Sequence, residues 1–187
     1  AGGMDRLRLL PTAAVRLRPG AVIEEGGFGK GAGLALAVDA LRASPEVRSA
    51  ALDLGGQLAF VGNARREALI ADPRRRDRPV LALTVEGGSV STSGDSERPG
   101  HLLDPRSGVP AEDFGSLTVW TVDPLRADCL STGLFVLGPE QAVAWAAAHP
   151  DVEVLALVAE GKGLRALATP GLAGRLRPLV KEIEIEQ

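Results

Sequence analysis

The order of strand-like and helix-like segments constrains the fold of this chain most strongly. Apolar and polar residues alternate in "SLTVWTV" (116–122), which predicts a strand. Other strand-like segments follow one another along the chain, and helical segments separate only some of them. We therefore expect an α+β fold with a largely antiparallel sheet and flanking helices.

Four further segments are predicted to be extended. Residues 14–23 are expected to form a strand that leads into a Pro-Gly turn. Residues 49–62 read as two short strands broken at Gly55–Gly56, a pair that indicates a bulge or a close approach of another group to the backbone. Residues 80–94 are expected to form a hairpin with its turn at "EGG", and a closing hairpin is expected around "GKG" (161–163).

Three segments have helical periodicity. The first is expected from about Ala32 to Ser44, and the third ends at His149. The second begins at Pro124, which suits the first turn of a helix. Its inward-facing residues are predicted to be Ala127, Leu130, Leu134 and Leu137. Residues 95–115 are predicted to form a loop.

Length, charge and cysteine content exclude several classes of protein. A chain of 187 residues, 45% of them hydrophobic, suits one domain. A net charge of −3 provides no global positive field for nucleic acid or anionic membranes. The basic cluster at 73–78 is interpreted as a solvated surface loop, with an anion or partner contact as the alternative. The single cysteine, Cys129, excludes an internal disulfide framework and a cysteine-based zinc cluster.

A glycine-rich segment, "GGFGKGAG" (26–33), precedes the first helix. Mobile glycines, the charge of Lys30 and a following helix N-terminus are typical of a phosphate cradle. The segment matches neither the Walker pattern nor G-x-G-x-x-G, so a simple turn remains the alternative.

Two polar residues lie one turn apart on the second predicted helix. Asp128 and Thr132 are four residues apart and therefore share a helix face, where a carboxylate and a hydroxyl can bind a hard cation such as Mg²⁺. The alternative is an acidic residue near a helix N-terminus with a local side-chain hydrogen bond.

One of only two histidines, His101, lies in the predicted loop. Its ordinary pKa suits proton transfer near neutral pH. A hydrolase built from Ser93, His101 and Asp104 is conceivable, although the sequence contains no G-x-S-x-G elbow. The other histidine, His149, precedes Pro150 at a helix end and is interpreted as structural.

Five segments in this chain resemble, in order, the motifs of the ApbE family, the FAD:protein FMN transferases. They are "EEGGFGKG" (24–31), "LDLGGQLAFVG" (52–62), "SVSTSGDSER" (89–98), "HLLDPRSGVP" (101–110) and "RADCLSTGLFVLGPE" (126–140). The resemblance implies an enzyme that binds FAD with Mg²⁺ and transfers FMN to a Thr or Ser of an acceptor flavoprotein, with release of AMP. The expected alternatives are an FAD diphosphatase that gives FMN and AMP, and a degenerate, non-catalytic FAD-binding module.

The resemblance also assigns roles to individual residues. His101 would be the base that activates the acceptor hydroxyl. The expected Mg²⁺ ligands are the carbonyl of Gly29 and the side chains of Asp128 and Thr132. The expected cofactor-binding residues are Gly27, Lys30, Ser93, Gly94, Asp95 and Asp104.

The chain departs from the family pattern in several respects. Ala35 stands where the family has an Asp, and Ser96 stands where it has a Tyr. No counterpart of the family's N-terminal portion is found, so we expect weak FAD binding and association with a partner chain or a second copy. We interpret residues 1–187 as a single ApbE-like domain, the C-terminal part of the family domain, with 171–187 as a C-terminal extension. The start shows no signal-peptide pattern and leaves the compartment open.

Overall fold

The structure is a computed structural model that describes residues 7–17, 24–96 and 98–186. This part of the chain has an α+β fold, as the sequence predicts, with a largely antiparallel sheet and three helices. The helices are Gly29–Ala43 (α1), Pro124–Leu137 (α2) and Pro139–Ala147 (α3). The strands are Leu7–Leu10 (β1), Ala13–Arg16 (β2), Ala50–Leu54 (β3), Gln57–Asp72 (β4), Arg75–Gly94 (β5), Gly115–Thr121 (β6), Val152–Glu160 (β7), Gly163–Ala168 (β8), Leu176–Pro178 (β9) and Ile183–Glu186 (β10).

The main sheet follows the chain order from β3 to β8, and each of these strands pairs antiparallel with the next. Strand β10 adds a parallel pairing at the outer edge of β8, and the short β9 pairs antiparallel with β5. Strands β1 and β2 form a separate two-stranded hairpin. Helices α2 and α3 lie between β6 and β7 in the chain, so they are added to an otherwise consecutive series of strands.

The long hairpin of β4 and β5 curls back towards its own base. Its tip is the turn at Pro73, and the ring of Pro73 lies 3.2 Å from the position that a Cβ would occupy on Gly115. Gly115 is the first residue of β6 and pairs next to Gly94, the last residue of β5. The tip therefore returns to the end of the same hairpin, and it forms one wall of the cleft described below.

Two apolar clusters hold the helices against the sheet. Helix α1 packs through Leu34 and Val38 against Ala59 and Val61 of β4. The two later helices pack against β6 and β7, and Leu134 and Phe135 of α2 are almost fully buried there. All four residues predicted to face inward on α2 are buried or pack against the core. Burial of such side chains stabilises the fold by about 1.5–3 kcal/mol each.

The first helix begins earlier than the sequence predicts. It starts at Gly29 instead of near Ala32, and a 3-10 turn over Glu25–Gly27 precedes it. The glycine-rich segment at 26–33 is therefore largely helical. Glycine is required at position 31 because α1 and α2 approach closely there, and a side chain would collide with α2.

The predicted hairpin at 80–94 is wrong, because β5 runs unbroken through this segment. Gly87 and Gly88 have φ values of 76° and 77° and form a bulge, which coincides with a shift in the pairing of β4 with β5. The strand continues because Gly88 packs against β6, whose Trp120 donates a hydrogen bond from Nε1 to the carbonyl of Gly87.

The other predicted elements have mixed outcomes. The two strands predicted for 49–62 are present as β3 and β4, but β4 extends to Asp72. The basic cluster at 73–78 therefore lies on a hairpin tip and the start of β5 instead of in a loop. The predicted strand at 14–23 is only partly confirmed, since 18–23 lie outside the described residues. Strand β6, helix α2 and the closing hairpin of β7 and β8 are confirmed. Helix α3 is confirmed as well, but it ends at Ala147 instead of the predicted His149. None of the helices in the described ranges is both long and apolar enough to span a membrane.

Candidate active site

A cleft of about 660 Å³ brings together residues that are distant in the sequence. Its walls include Lys30 from α1, Ser93 from β5, His101 from the following loop and Thr132 from α2. Gly27 and Gly94, two more of the residues assigned from the sequence, also line it. The volume lies within the range of sites that bind small molecules and cofactors.

The contact between α1 and α2 fixes one end of the cleft. The backbone N–H of Gly31 donates a hydrogen bond of 2.8 Å to Oδ2 of Asp128, and Nζ of Lys30 lies 3.5 Å from the other carboxylate oxygen. Asp128 is only 2% exposed, whereas the Lys30 side chain is 40% exposed. A buried carboxylate requires such partners, and the lysine extends from this anchor into the cleft.

Three hydroxyl groups lie close together at the same end of the cleft. Oγ of Ser93 lies 2.9 Å from Oγ of Ser131 and 3.2 Å from Oγ1 of Thr132. The methyl of Thr132 lies 3.3 Å from the position of a Cβ on Gly27, so the glycine segment passes directly over this face of α2. Strand β5, helix α2 and the glycine segment therefore meet at Thr132.

The oxygen donors at this end fit a hard divalent cation. Within the described ranges, no cluster of three or more His, Cys, Asp or Glu side chains could hold a metal. The metal site expected from the resemblance would instead combine the carboxylate of Asp128, the hydroxyl of Thr132 and the backbone carbonyl of Gly29 with oxygens of a bound phosphate. Such all-oxygen sets, completed by substrate phosphates, suit Mg²⁺.

His101 is oriented by a buried carboxylate. Its Nδ1 lies 2.8 Å from Oδ1 of Asp95 and 2.7 Å from the carbonyl of Arg98. Both neighbours accept hydrogen bonds, so Nδ1 is the donor, and in the neutral imidazole this tautomer has its lone pair on Nε2. The histidine side chain is 39% exposed and lines the cleft, which makes Nε2 available as a general base.

Asp95 contacts His101 but does not itself line the cleft. Burial alone would raise the pKa of this carboxyl, but hydrogen bonds from the N–H of Gly100 and from His101 outweigh it and hold the pKa below its ordinary value of 3.8. Asp95 therefore stays ionised at neutral pH and favours the Nδ1–H form of the imidazole.

The catalytic triad considered from the sequence is not assembled. Asp104 accepts hydrogen bonds from the side chain of Arg106, which lowers the pKa of its carboxyl, and from the backbone N–H of the same residue. It thus shapes the loop, whereas Asp95 is the partner of His101. The second histidine, His149, stacks on Trp145 and bonds to its carbonyl, which agrees with a structural role.

Several cleft residues were not identified from the sequence. In the described ranges, the buried side-chain atoms that lack a hydrogen-bond partner are Oε1 of Gln57 and Oγ of Ser116, and both residues line the cleft. Buried polar atoms without partners are costly, so their location indicates a place where water or a ligand binds. Leu69 and Arg76 also line the cleft, because the curled hairpin carries them there.

Comparison with known proteins identifies the family of this chain. The sequence profile of the ApbE family matches residues 2–156, and the chain belongs to that family. It is 31% identical over 161 residues to the FAD:protein FMN transferase of Treponema pallidum, a match that covers 74% of this chain and 44% of that protein. A protein of the same name from Klebsiella pneumoniae is 32% identical over 156 residues, with 74% and 46% covered.

Solved structures show the same fold. The ApbE protein of Thermotoga maritima superposes with a TM-score of 0.80 at 25% identity, over 94% of this chain and 60% of that one. The flavin transferase ApbE of Vibrio cholerae gives a TM-score of 0.76 at 23% identity, over 92% and 59% of the two chains. The present chain spans less than half the length of the two relatives named above.

Proposed function

We propose that this chain carries the catalytic part of an Mg²⁺-dependent FAD:protein FMN transferase, which moves FMN from FAD onto a Thr or Ser of an acceptor flavoprotein and releases AMP. The observation that carries the proposal is the cleft that His101, Lys30, Ser93 and Thr132 line together, with Nδ1 of His101 held by the carboxylate of Asp95. The names of the relatives support the same reaction. We propose residues 1–187 as one domain, with 171–187, whose strands β9 and β10 join the sheet, as a C-terminal extension.

The chemistry follows from the position of the base. In the proposed reaction the acceptor hydroxyl oxygen bonds to the phosphorus of the FMN moiety, and its proton passes to Nε2 of His101. The bond from that phosphorus to the bridging oxygen of the diphosphate breaks, and AMP leaves with the electron pair. The carboxylate of Asp95 stabilises the resulting imidazolium, since it already holds Nδ1 at 2.8 Å.

The diphosphate is proposed to lie at the α1–α2 end of the cleft. Lys30 supplies positive charge there, and Asp128, Thr132 and the carbonyl of Gly29 would hold Mg²⁺. When bound, Mg²⁺ would neutralise charge on the phosphate oxygens. Gly27, Ser93 and Gly94 form the adjoining wall of the cofactor site, while Asp95 and Asp104 shape its loop.

The flavin ring needs more protein surface than the phosphates do. The exposed side chains of Leu69 and Leu103 line the cleft and provide apolar area, 60% and 53% exposed respectively. Because this chain spans less than half of its relatives, we propose that the remaining part of the family domain, on this polypeptide, a partner chain or a second copy, completes the cover of the flavin. Binding of FAD is then weaker without it.

The test uses the two histidines as a matched pair. His101→Gln and His149→Gln are compared with the wild type for transfer of FMN from FAD to a Thr-containing acceptor peptide, together with FAD affinity by fluorescence titration. We expect His101→Gln to reduce transfer by about 10²–10⁴-fold while FAD affinity changes only a few-fold, because the loss lies in the transition state. His149→Gln should transfer normally.

Three outcomes separate the readings. FMN transfer at the wild-type rate by His101→Gln would refute the role of His101 as the base. Release of FMN and AMP without labelling of the acceptor would instead identify an FAD diphosphatase, in which water takes the place of the hydroxyl. Binding of FAD without either product, also when the rest of the family domain is supplied, would identify a non-catalytic module.

A further inference from the structure

A second hollow, of about 380 Å³, lies outside the cleft and is lined by four arginines. Arg65 and Arg66 lie on β4, Arg177 lies on β9, and Arg175 immediately precedes β9. We call this hollow the arginine pocket. Its other lining residues are Glu67, Thr84, Gly174 and Leu176. The described linings of the arginine pocket and of the cleft have no residue in common.

The guanidinium groups of the pocket are held in different ways. Arg177 forms an ion pair with Glu67, with Nη2 2.8 Å from Oε1. Arg175 lies over the ring of Trp120, with Cζ 4.9 Å from the ring centroid, and Arg66 donates a hydrogen bond of 3.4 Å to a backbone carbonyl. The last two contacts orient the arginines but supply no negative charge. In the described part of the chain, one of the four cations is therefore paired with a carboxylate.

The carboxylates near the pocket are fewer than its arginines. Glu67 lines the pocket itself. Glu86 lies directly opposite Arg65 in the β4–β5 register, so these two side chains share a face of the sheet. Glu153 of β7 lies opposite Trp120 in the same way. Even when all three carboxylates are counted against the four arginines, the pocket keeps an excess of positive charge on a chain whose net charge is −3.

The arginine pocket and the cleft meet on one face of β4. Residues 65–70 pair with β5 in unbroken register, and Ala68 and Ile70 are buried, so Arg65, Glu67 and Leu69 project from the opposite face. Leu69 lines the cleft, and Arg65 lies four residues away, about 13 Å at about 3.3 Å per residue. A standard protein interface buries about 800 Å² on each partner, so a protein bound over the cleft is wide enough to reach the pocket.

We propose that the arginine pocket binds an acidic segment of the acceptor flavoprotein and so holds that protein over the cleft. The inference rests on the proposed function, because a protein acceptor is required only if FMN is transferred to one. Guanidinium groups donate paired hydrogen bonds to carboxylates, so Asp and Glu side chains fit this pocket. Nucleic acid also supplies anions, but no aromatic side chain stands among the described lining residues to stack on a base.

The binding experiment uses a fluorescently labelled hexaglutamate peptide, with a glutamine peptide of the same length as the neutral probe. Anisotropy titrations of the full chain at low salt compare Arg65→Gln/Arg66→Gln with Arg42→Gln/Arg48→Gln, which removes two exposed charges outside the pocket and the cleft. We expect the first variant to weaken hexaglutamate binding about 5–20-fold and the second to stay within about two-fold of wild type. Glu67→Gln should tighten binding by about two- to five-fold, a gain that a damaged fold would not produce.

The catalytic experiment tests the same charges during FMN transfer. Two Thr-containing acceptor peptides, one flanked by Glu and the other by Gln, are compared as substrates of the wild type. We expect a lower KM for the Glu-flanked peptide at unchanged kcat, because the pocket contributes to binding and not to the chemical step. Arg65→Gln/Arg66→Gln should remove this difference in KM.

The proposal is overturned if the two double variants bind hexaglutamate equally, or if the wild type does not distinguish it from the neutral peptide. Tighter binding of a single-stranded DNA of equal charge would assign the pocket to nucleic acid instead. Loss of hexaglutamate binding when the rest of the family domain is supplied would show that this part of the domain fills the pocket, and would equally refute the proposal.

The two experiments separate the arginine pocket from the proposed function. Hexaglutamate binding that depends on Arg65 and Arg66, without any FMN transfer, would support the pocket and refute the proposed function. FMN transfer with equal KM for the two acceptor peptides would do the reverse. Urea unfolding of both double variants reports whether either change acts through the fold.

Discussion

A single glycine controls how closely the two helices of the site approach. In Gly31→Ala the added Cβ would lie 2.5 Å from the carbonyl oxygen of Pro124 and 2.7 Å from Cβ of Asp128. Neither atom belongs to the flexible end of a side chain, so α1 must move away from α2. This movement would also lengthen the hydrogen bond from the N–H of Gly31 to Asp128.

The expected cost follows from opposing contributions. Overpacking of a close contact costs about 1–3 kcal/mol, and a weakened hydrogen bond to a buried carboxylate adds about 1.5–3 kcal/mol. The higher helix propensity of Ala offsets about 1 kcal/mol. We therefore expect Gly31→Ala to lower the free energy of unfolding by about 2 kcal/mol or more.

The matched control is Gly33→Ala, two residues further along α1. Its Cβ would meet only Cδ2 of Leu54 at 3.3 Å, and Leu54 is itself 44% exposed and free to adjust. We expect this change to be neutral or to stabilise by up to about 1 kcal/mol. Urea unfolding followed by circular dichroism would measure both, with a midpoint about 1 M lower for Gly31→Ala. Equal midpoints for the two variants would refute the close-contact argument.

Three further predictions concern charge and backbone geometry. Ionised Asp95 contributes stability that is fully present above its ordinary pKa of 3.8 and is lost as pH falls through the lower folded-state pKa. In acid titrations, Asp95→Asn should therefore flatten the fall in the free energy of unfolding below pH 3.8. Mg²⁺ should tighten FAD binding to the wild type and to the exposed-site control Asp39→Asn but not to Asp128→Asn, as fluorescence titration would show; equal Mg²⁺ effects on all three would exclude Asp128 as a ligand. Gly88→Ala, with φ of 77° and its Cβ 2.6 Å from a carbonyl of β6, should cost about 2 kcal/mol or more in urea unfolding, whereas Gly174→Ala, with φ of 70° and open space, should cost only about 1 kcal/mol.

Local patterns in the sequence predict the elements that depend on local chemistry. The alternation in 116–122 and the periodicity after Pro124 give β6 and α2 correctly, because their apolar faces are buried by neighbours of ordinary geometry. The glycine pair at 87–88 misleads, since a bulge and a turn use the same backbone angles and only the pairing with β6 separates them.

The candidate site was likewise predicted from the sequence only in part. Motif resemblance identifies His101, Lys30 and Thr132, and the structure brings all three to one cleft. Sequence spacing did not identify Asp95 as the partner of His101, because the choice between Asp95 and Asp104 depends on how the loop folds. It also missed Arg76, whose place in the cleft arises from the curvature of a hairpin and not from any motif.

Because the hairpin is curved, the shape of the single strand β5 sets the distance between two walls of the cleft. Arg76 and Ser93 lie on β5 and would be about 56 Å apart if the strand were straight, at about 3.3 Å per residue. Both nevertheless line a cleft of about 660 Å³, so the strand bends back along its length, with the Gly87–Gly88 bulge between them. The curvature of β5 therefore sets the gap between its two ends, so a change in that curvature would alter the opening of the cleft without changing any residue that lines it.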